Sequence, residues 1–266
     1  MRIIGLIGPK GSGKDTSYEL LRDQKRVDGK ISFAGPLKQI CGQVFGLHHV
    51  YLNDAVLKEK ELEQPITLTL KHIRKIIELC EEYVPSVTSD GLILYRSNAV
   101  STTGLEGRVF KTPRELLQII GTELIRERIY KGWHLSAAFS PKVLNSTKED
   151  KDGRKRRVYK QDGTYAVTDV RFENEHDFLA ERFGKAYKAF YVKRPEAEEV
   201  LATATHPSEL ETQKIRAKLE DSVIDNSGTL EDLGKLLGSL DLKAEVTEVP
   251  EKGSRFRYTP AQETDG

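Results

Sequence analysis

Apolar and polar positions change period several times along the chain. The opening run "RIIGLIG" is apolar, β-branched and closed by glycine, which predicts a buried parallel strand. From Thr16 to about Asp23 the spacing becomes helical, with Tyr18, Leu20 and Leu21 on the packing side. "KISFAG" predicts a second strand. "PLKQICGQVFGL" then opens on Pro36, suited to a first helical turn, and aligns Leu37, Ile40, Cys41 and Val44. "LTLKHIRKIIELCEEY" is amphipathic through Ile73, Ile76, Ile77 and Cys80. "TPRELLQIIGTELIRERIY" predicts one long helix. Thr112 caps it, Pro113 fits its first turn, Glu115 completes a capping box, and Leu116, Leu117, Ile120, Leu124 and Ile125 form the stripe.

Further along, "STKEDKDGRKRRVYKQDGTYAVTDV" predicts a charged hairpin that feeds the buried strand "TYAVTDV". "FENEHDFLAERFG" reads as a helix and "KAYKAFYVKRP" as a strand ended by Pro195. "DSVIDNSGTLEDLGKLLGSL" reads as strand, turn and closing helix, capped by Thr229. Strands alternating with helices predict an α/β fold with a mainly parallel sheet. The expected organisation is one domain over residues 1–242. Within it, 48–141 is an insertion and acceptor-binding region, 142–164 a charged hairpin and 194–220 a lid-like segment. Residues 243–266 are expected to be a polar, flexible tail.

Composition narrows the partners. With 266 residues, 38% hydrophobic and 31% charged, the chain can bury a sizeable core and is neither disordered nor membrane-like in character. A net charge of +1 disfavours a nucleic-acid polymer as partner. No apolar run reaches the ~20 residues of a membrane helix, and the N-terminus lacks a signal-peptide pattern. Cys41 and Cys80 lie in separate helical stripes and are expected as buried thiols in a reducing cytoplasm.

The chemistry concentrates in "GPKGSGKDTS". Gly8, Gly13 and Lys14 fit the phosphate-loop pattern, and a strand before and a helix after supply its context. Glycines let backbone N–H groups turn toward phosphate oxygens at a helix N-terminus. Asp15 stands where a metal-binding serine or threonine is usual, and Thr16 follows. A carboxylate beside a polyphosphate calls for a cation between them, so Mg²⁺ is expected, held by Asp15 directly or through water. Asp15 could also orient an attacking oxygen, or simply cap the helix.

Asp169 ends an apolar strand, where ligands of parallel sheets bind, and is a candidate second acid near the metal. Arg171 offers a bidentate guanidinium for phosphate, and Glu173 and Glu175 follow. A surface ion-pair cluster is the plainer alternative. Arg114, Gln118 and Thr122 share a helical face with Gly121 beside it, which suits a nucleotide but also an ordinary solvated face. Gly121 in mid-helix costs about 1 kcal/mol and implies a close neighbour, helix or ligand. Trp133 could stack on a base, although a lone tryptophan is more often core.

Taken together, "GPKGSGKDT", "FAGPLKQ", "RELLQIIGTELIRE" with Trp133, "VTDVRFENE", "HPSE" and "DNSGTLEDL" resemble the bacteriophage deoxynucleoside monophosphate kinases, in order, from residue 1 to about 238. The resemblance implies a phosphate-loop, nucleoside-monophosphate-kinase-like fold, with a substrate-binding insertion and a lid. It also implies phosphoryl transfer from ATP to a deoxynucleoside monophosphate in the infected host's cytoplasm. By the same resemblance Gly11, Ser12, Gly13, Lys14, Asp15 and Thr16 serve ATP, with Asp15 and Thr16 at the metal. Arg114, Gln118, Gly121, Thr122, Trp133, Arg171 and Glu175 serve the acceptor. Lys14, Asp15, Asp169 and Arg171 form the catalytic set, Arg194 and His206 approach the donor from the lid, and "DNSG" lies near the adenine. A homodimer is left open. The competing readings are a dephospho-coenzyme A or phosphomevalonate type of kinase, or a nucleotide-binding switch without acceptor chemistry.

Overall fold

The computed structural model describes residues 1–84, 104–149, 155–202, 207–219 and 221–242. The sequence readings placed on 85–103, the "KDGR" turn at 151–154, His206 and the tail from 243 lie outside the described residues. Two compact units form: residues 1–35 with 143–242, and residues 36–142.

Along the chain the first unit begins with β1 (Arg2–Ile7), α1 (Lys14–Asp23) and β2 (Gly29–Lys30). The second contains α2 (Gly35–Phe45, from its second residue), α3 (His49–Asn53), β3 (Ile66–Thr67), α4 (Leu70–Tyr83) and β4 (Val109–Phe110). It continues with α5 (Pro113–Gln118), a π-helix (Ile119–Ile129) and α6 (Trp133–Ala138). The first unit resumes at α7 (Pro141–Leu144), β5 (Thr147–Glu149), β6 (Lys155–Arg157), β7 (Thr164–Val167) and α8 (Glu173–Phe183). It ends with β8 (Tyr187–Lys193), α9 (Pro195–Ala202), α10 (Pro207–Lys218), β9 (Val223–Asp225) and α11 (Leu230–Ser239).

The main sheet has the order β2–β7–β1–β8–β9, and every pairing in it is parallel. β1 is central because it is apolar on both sides: Ile3, Ile4, Leu6 and Ile7 are fully buried. Ile4, Leu6, Val192 and Ile224 from the strands meet Leu21 of α1 and Leu233 and Leu237 of α11 in one core. α8 packs along β1 and β8 and is stopped by Gly184 at φ 49°. The Tyr187 ring lies where a side chain at residue 5 would project, with its hydroxyl 2.7 Å from an ideal Cβ, so a larger residue there would have to displace that ring. Thr229 caps α11 as expected, and Asp232 completes a capping box with it. The Arg26 guanidinium donates to the Leu237 and Leu240 carbonyls, satisfying the helix's far end. β5 and β6 pair antiparallel, as the charged hairpin requires.

In the second unit α4 buries the anticipated Ile73, Ile76, Ile77 and Cys80. Cys41 and Cys80 are free, buried thiols, and burial pushes both well above the usual thiol range. The long helix expected from Thr112 starts as predicted, with the Thr112–Glu115 capping box and Pro113 in its first turn. After Gln118 it widens to a π-helix. The sequence supplies a reason. An α-helix of about 3.6 residues per turn places Ile120 and Ile129 on opposite sides. The roughly four and a half residues per turn implied by i→i+5 bonding align Ile120, Leu124, Ile125 and Ile129. All four are buried, and the Tyr130 N–H donates to the Ile125 carbonyl, five residues back, at 2.8 Å.

Candidate nucleotide-binding site

All five strands of the main sheet run the same way, so their carboxyl ends share one edge. The Gly8–Lys14 loop leaves β1 there, Ser32 follows β2, Thr168 and Asp169 follow β7, Arg194 follows β8 and Asn226 follows β9. The loop needs its glycines. Gly8, Gly11 and Gly13 have φ of 153°, 85° and 98°, a region that other residues rarely adopt. A Cβ at Gly8 would lie 2.5 Å from the Val192 carbonyl oxygen, and one at Gly13 would meet the Asn226 amide. That amide donates to the Ser12 carbonyl at 2.9 Å, so the last strand holds the loop in shape.

Lys14 is 9% exposed and folds back over the loop. Its ammonium donates to the Gly8 and Pro9 carbonyls, each at 2.6 Å, and to the Ser12 hydroxyl at 3.4 Å. It thus lies within the ring of loop atoms, where a phosphate would compete for it. Ser12 is fully buried, whereas Asp15 and Thr16 face solvent at the start of α1. Gly13 occupies the N-cap, and Asp15 makes no side-chain cap, so capping does not account for its presence.

Asp15 Oδ1 instead accepts from Lys30 Nζ at 2.6 Å and from the Thr168 hydroxyl at 3.0 Å. Partial burial opposes ionisation, but the Lys30 hydrogen bond and charge, then Thr168 and Lys14, outweigh it and hold the carboxyl below its usual range. The sequence reading missed both Lys30 and Thr168. Neither lies in a phosphate-loop pattern, and only the β2–β7–β1 order brings them to the loop.

Asp169 Oδ2 accepts from the Ser32 hydroxyl at 2.7 Å and the Ala34 N–H at 3.2 Å. Its Oδ1 is buried and has no hydrogen-bond partner among the described residues. Two residues on, Arg171 is exposed. Glu175, expected at the acceptor, is buried, and its carboxylate accepts the Arg171 and Phe172 N–H groups at 2.7 and 3.2 Å. Its visible work is to cap α8 and fix the turn that presents Arg171. The segment after β8 docks through buried Thr212, whose hydroxyl donates to the Arg171 carbonyl at 3.4 Å, and Arg194 pairs with Glu196.

A magnesium ion suits these groups. Among the described residues no three His, Cys, Asp or Glu side chains cluster as a self-sufficient metal site. Mg²⁺ in phosphoryl-transfer enzymes takes one or two carboxylates and completes its shell with phosphates and water. Asp169 Oδ1 and Asp15 are carboxylate groups of that kind.

The acceptor candidates of the second unit separate into different environments. Gln118 and Thr122 are exposed. Arg114 pairs with Glu59 at 2.6 Å, and its backbone N–H donates to the Lys58 carbonyl. For Gly121 the required close neighbour is protein: an ideal Cβ would lie 2.7 Å from Leu37 Cδ2, and the Gly121 carbonyl lies 3.0 Å from His134 Nε2. The expectation for Trp133 is corrected. It is 0% exposed, its indole donates to the Cys80 carbonyl at 3.1 Å, and Tyr83 and His134 meet its ring edge-to-face. A base has no face of it to stack on.

A family model for deoxynucleotide monophosphate kinase matches residues 2–236, nearly the whole chain. The chain belongs to the deoxynucleotide monophosphate kinase family. It is therefore a phosphotransferase, and the sequence resemblance is upheld. One relative is an Acanthamoeba polyphaga mimivirus protein that carries the deoxynucleotide monophosphate kinase name. It is 27% identical over 235 residues, covering 87% of this chain and 92% of its own. The deoxynucleoside-5'-monophosphate kinase of Escherichia phage T5 is 26% identical over 226 residues, covering 78% and 83%. Among the described residues no helix is long and apolar enough to cross a membrane.

Proposed function

We propose that this kinase transfers the γ-phosphoryl group of ATP to a deoxynucleoside 5'-monophosphate, giving the diphosphate and ADP, in a magnesium-dependent reaction. The observation that carries this reading is the loop. Three left-handed glycines and a folded-back lysine sit at the carboxyl edge of a parallel sheet, in a member of a nucleotide kinase family.

In the reaction an oxygen of the acceptor phosphate forms a bond to the γ-phosphorus while the bond to the β–γ bridging oxygen breaks. The acceptor is already anionic, so no strong base is needed. The protein aligns the two phosphates and offsets charge. Lys14 exchanges the Gly8 and Pro9 carbonyls for phosphate oxygens. Exposed Arg171 supplies a guanidinium to the transferred group. Asp15 and Thr16, with Asp169 as the second acid, would hold magnesium, which would supply charge neutralisation to the phosphates. Gln118, Thr122 and Arg114 recognise the acceptor, Arg114 on leaving Glu59, and the segment after β8 excludes water. Residues 48–141 then serve as the acceptor-binding insertion of one kinase domain.

A screen of all four deoxynucleoside monophosphates and their ribose counterparts, followed by ADP release, tests the proposal. ADP formation that depends on a deoxynucleotide and is abolished by EDTA supports it. ATP binding without turnover of any monophosphate overturns it in favour of a nucleotide-binding switch. Turnover with dephospho-coenzyme A or phosphomevalonate alone overturns the choice of acceptor.

A further inference from the structure

Asp15 is held in an unequal way. Both of its hydrogen bonds, from Lys30 at 2.6 Å and Thr168 at 3.0 Å, fall on Oδ1. Among the described residues Oδ2 receives none, and the side chain is 77% exposed. We propose that Lys30 and Thr168 are positioning residues for the phosphate loop: they clamp Asp15 through Oδ1 and leave Oδ2 as the oxygen presented to the nucleotide.

Both clamp residues are set in place by the sheet. Lys30 ends β2, which pairs with β7 through Lys30 and Ala166. Its carbonyl accepts the Tyr159 hydroxyl at 3.3 Å, and its ammonium lies 5.6 Å from the centre of the Tyr18 ring on α1. Thr168 is buried immediately after β7, the strand between β2 and β1. The two donors therefore approach Asp15 from backbone that cannot drift independently of the loop.

The clamp answers an electrostatic problem. A carboxylate at the second position of a phosphate-binding helix repels the phosphate it adjoins. Lys30 supplies most of the compensating charge from outside the loop, and Lys14 adds a smaller share. Thr168 carries no charge and contributes a directional hydrogen bond to the carboxylate. The inference rests on the reading of Gly8–Thr16 as the ATP loop. It differs from the simpler idea that Lys30 grips a phosphate itself.

The test uses the full-length protein and AMP-PNP, a non-hydrolysable ATP analogue, titrated calorimetrically in EDTA and again with magnesium. Lys30→Met is expected to weaken metal-free binding about tenfold, because Asp15 is left uncompensated. Lys30→Arg should keep binding within about threefold of the original. The double variant Asp15→Asn/Lys30→Met should recover most of the loss. Thr168→Val should leave metal-free binding nearly unchanged but reduce, about threefold, the tightening that magnesium produces. If the double variant stays as weak as Lys30→Met, Lys30 serves the phosphate directly and the clamp is overturned. If Lys30→Met binds normally, it is overturned as well. Failure of the unaltered protein to bind AMP-PNP in either condition refutes the ATP-loop reading, and the clamp with it.

Discussion

The phosphate loop and the helical run from Arg114 to Trp133 were both read from short stretches of sequence, yet the structure treats them differently. In the loop, the pattern is a backbone requirement. Gly11 and Gly13 take positive φ, Gly8 leaves room for the Val192 carbonyl, and the lysine closes over the turn they make. In the helical run, the pattern is one of side-chain spacing, and spacing means something only once the helix period is known. There Gly121 receives Leu37, Trp133 enters the core, Arg114 pairs with Glu59, and Gln118 and Thr122 present exposed side chains. A motif built on backbone geometry carries its own context. A motif built on one helix face borrows its context from packing.

The largest test of this contrast is Lys14→Ala. Its kcat/KM should fall by at least about a thousandfold in an ADP-release assay, since a preorganised charge on the transferred phosphate is lost. A loss below tenfold would place the loop on the same footing as the helical run. Next, Trp133→Ala should destabilise the protein by about 3–5 kcal/mol in urea unfolding, as a large core truncation does. Trp133→Phe, which folds more readily, should leave the KM for the acceptor unchanged. A raised acceptor KM with normal stability would return Trp133 to the binding site. Gln118→Ala should behave oppositely, raising the acceptor KM about tenfold while the urea midpoint stays in place.

The smallest expected effect is a pH dependence away from both regions. Burial, with Lys218 assisting, holds His176 below its ordinary value of 6.5, while Asp177 and Glu173 pull the other way. Its Nδ1 lies 3.0 Å from the Tyr187 hydroxyl, whose own ionisation burial pushes up, so the phenol stays neutral. The unfolded chain protonates this histidine first as pH falls. Stability is therefore complete above 6.5 and declines as pH drops from there through the depressed folded value. His176→Gln should flatten that slope in thermal melts recorded across mildly acidic pH. An unchanged slope would assign the acid sensitivity to other groups.

Much of the fold was legible because apolar period and capping chemistry agree. β1, α4, α8 and α11 lie close to where alternation, stripes and the Thr229 cap put them. The strand expected over "KISFAG" is found at Gly29–Lys30, overlapping it only at Lys30, and Ser32 beyond it donates to Asp169. The widening of the helix after Gln118 was hidden because Ile120, Leu124 and Ile125 satisfy α and π periods alike, and only Ile129 separates them. Within the site, Lys14, Asp15, Asp169 and Arg171 could be picked out by type and position in the sequence. Lys30, Thr168 and Asn226 could not, because their meaning comes from strand order, which joins residues up to 214 positions apart.

That strand order also constrains how the enzyme can be made. β1 leaves the ribosome well ahead of its neighbours β7 and β8, which begin at residues 164 and 187. The amide that braces the loop arrives only with Asn226. An emerging chain thus carries this buried strand unpaired until those segments arrive, a high-contact-order arrangement that folds late and is exposed to misassembly meanwhile. The nucleotide loop is written early and finished by a residue 214 positions later, so a product truncated before Asn226 carries the motif without the means to hold its shape.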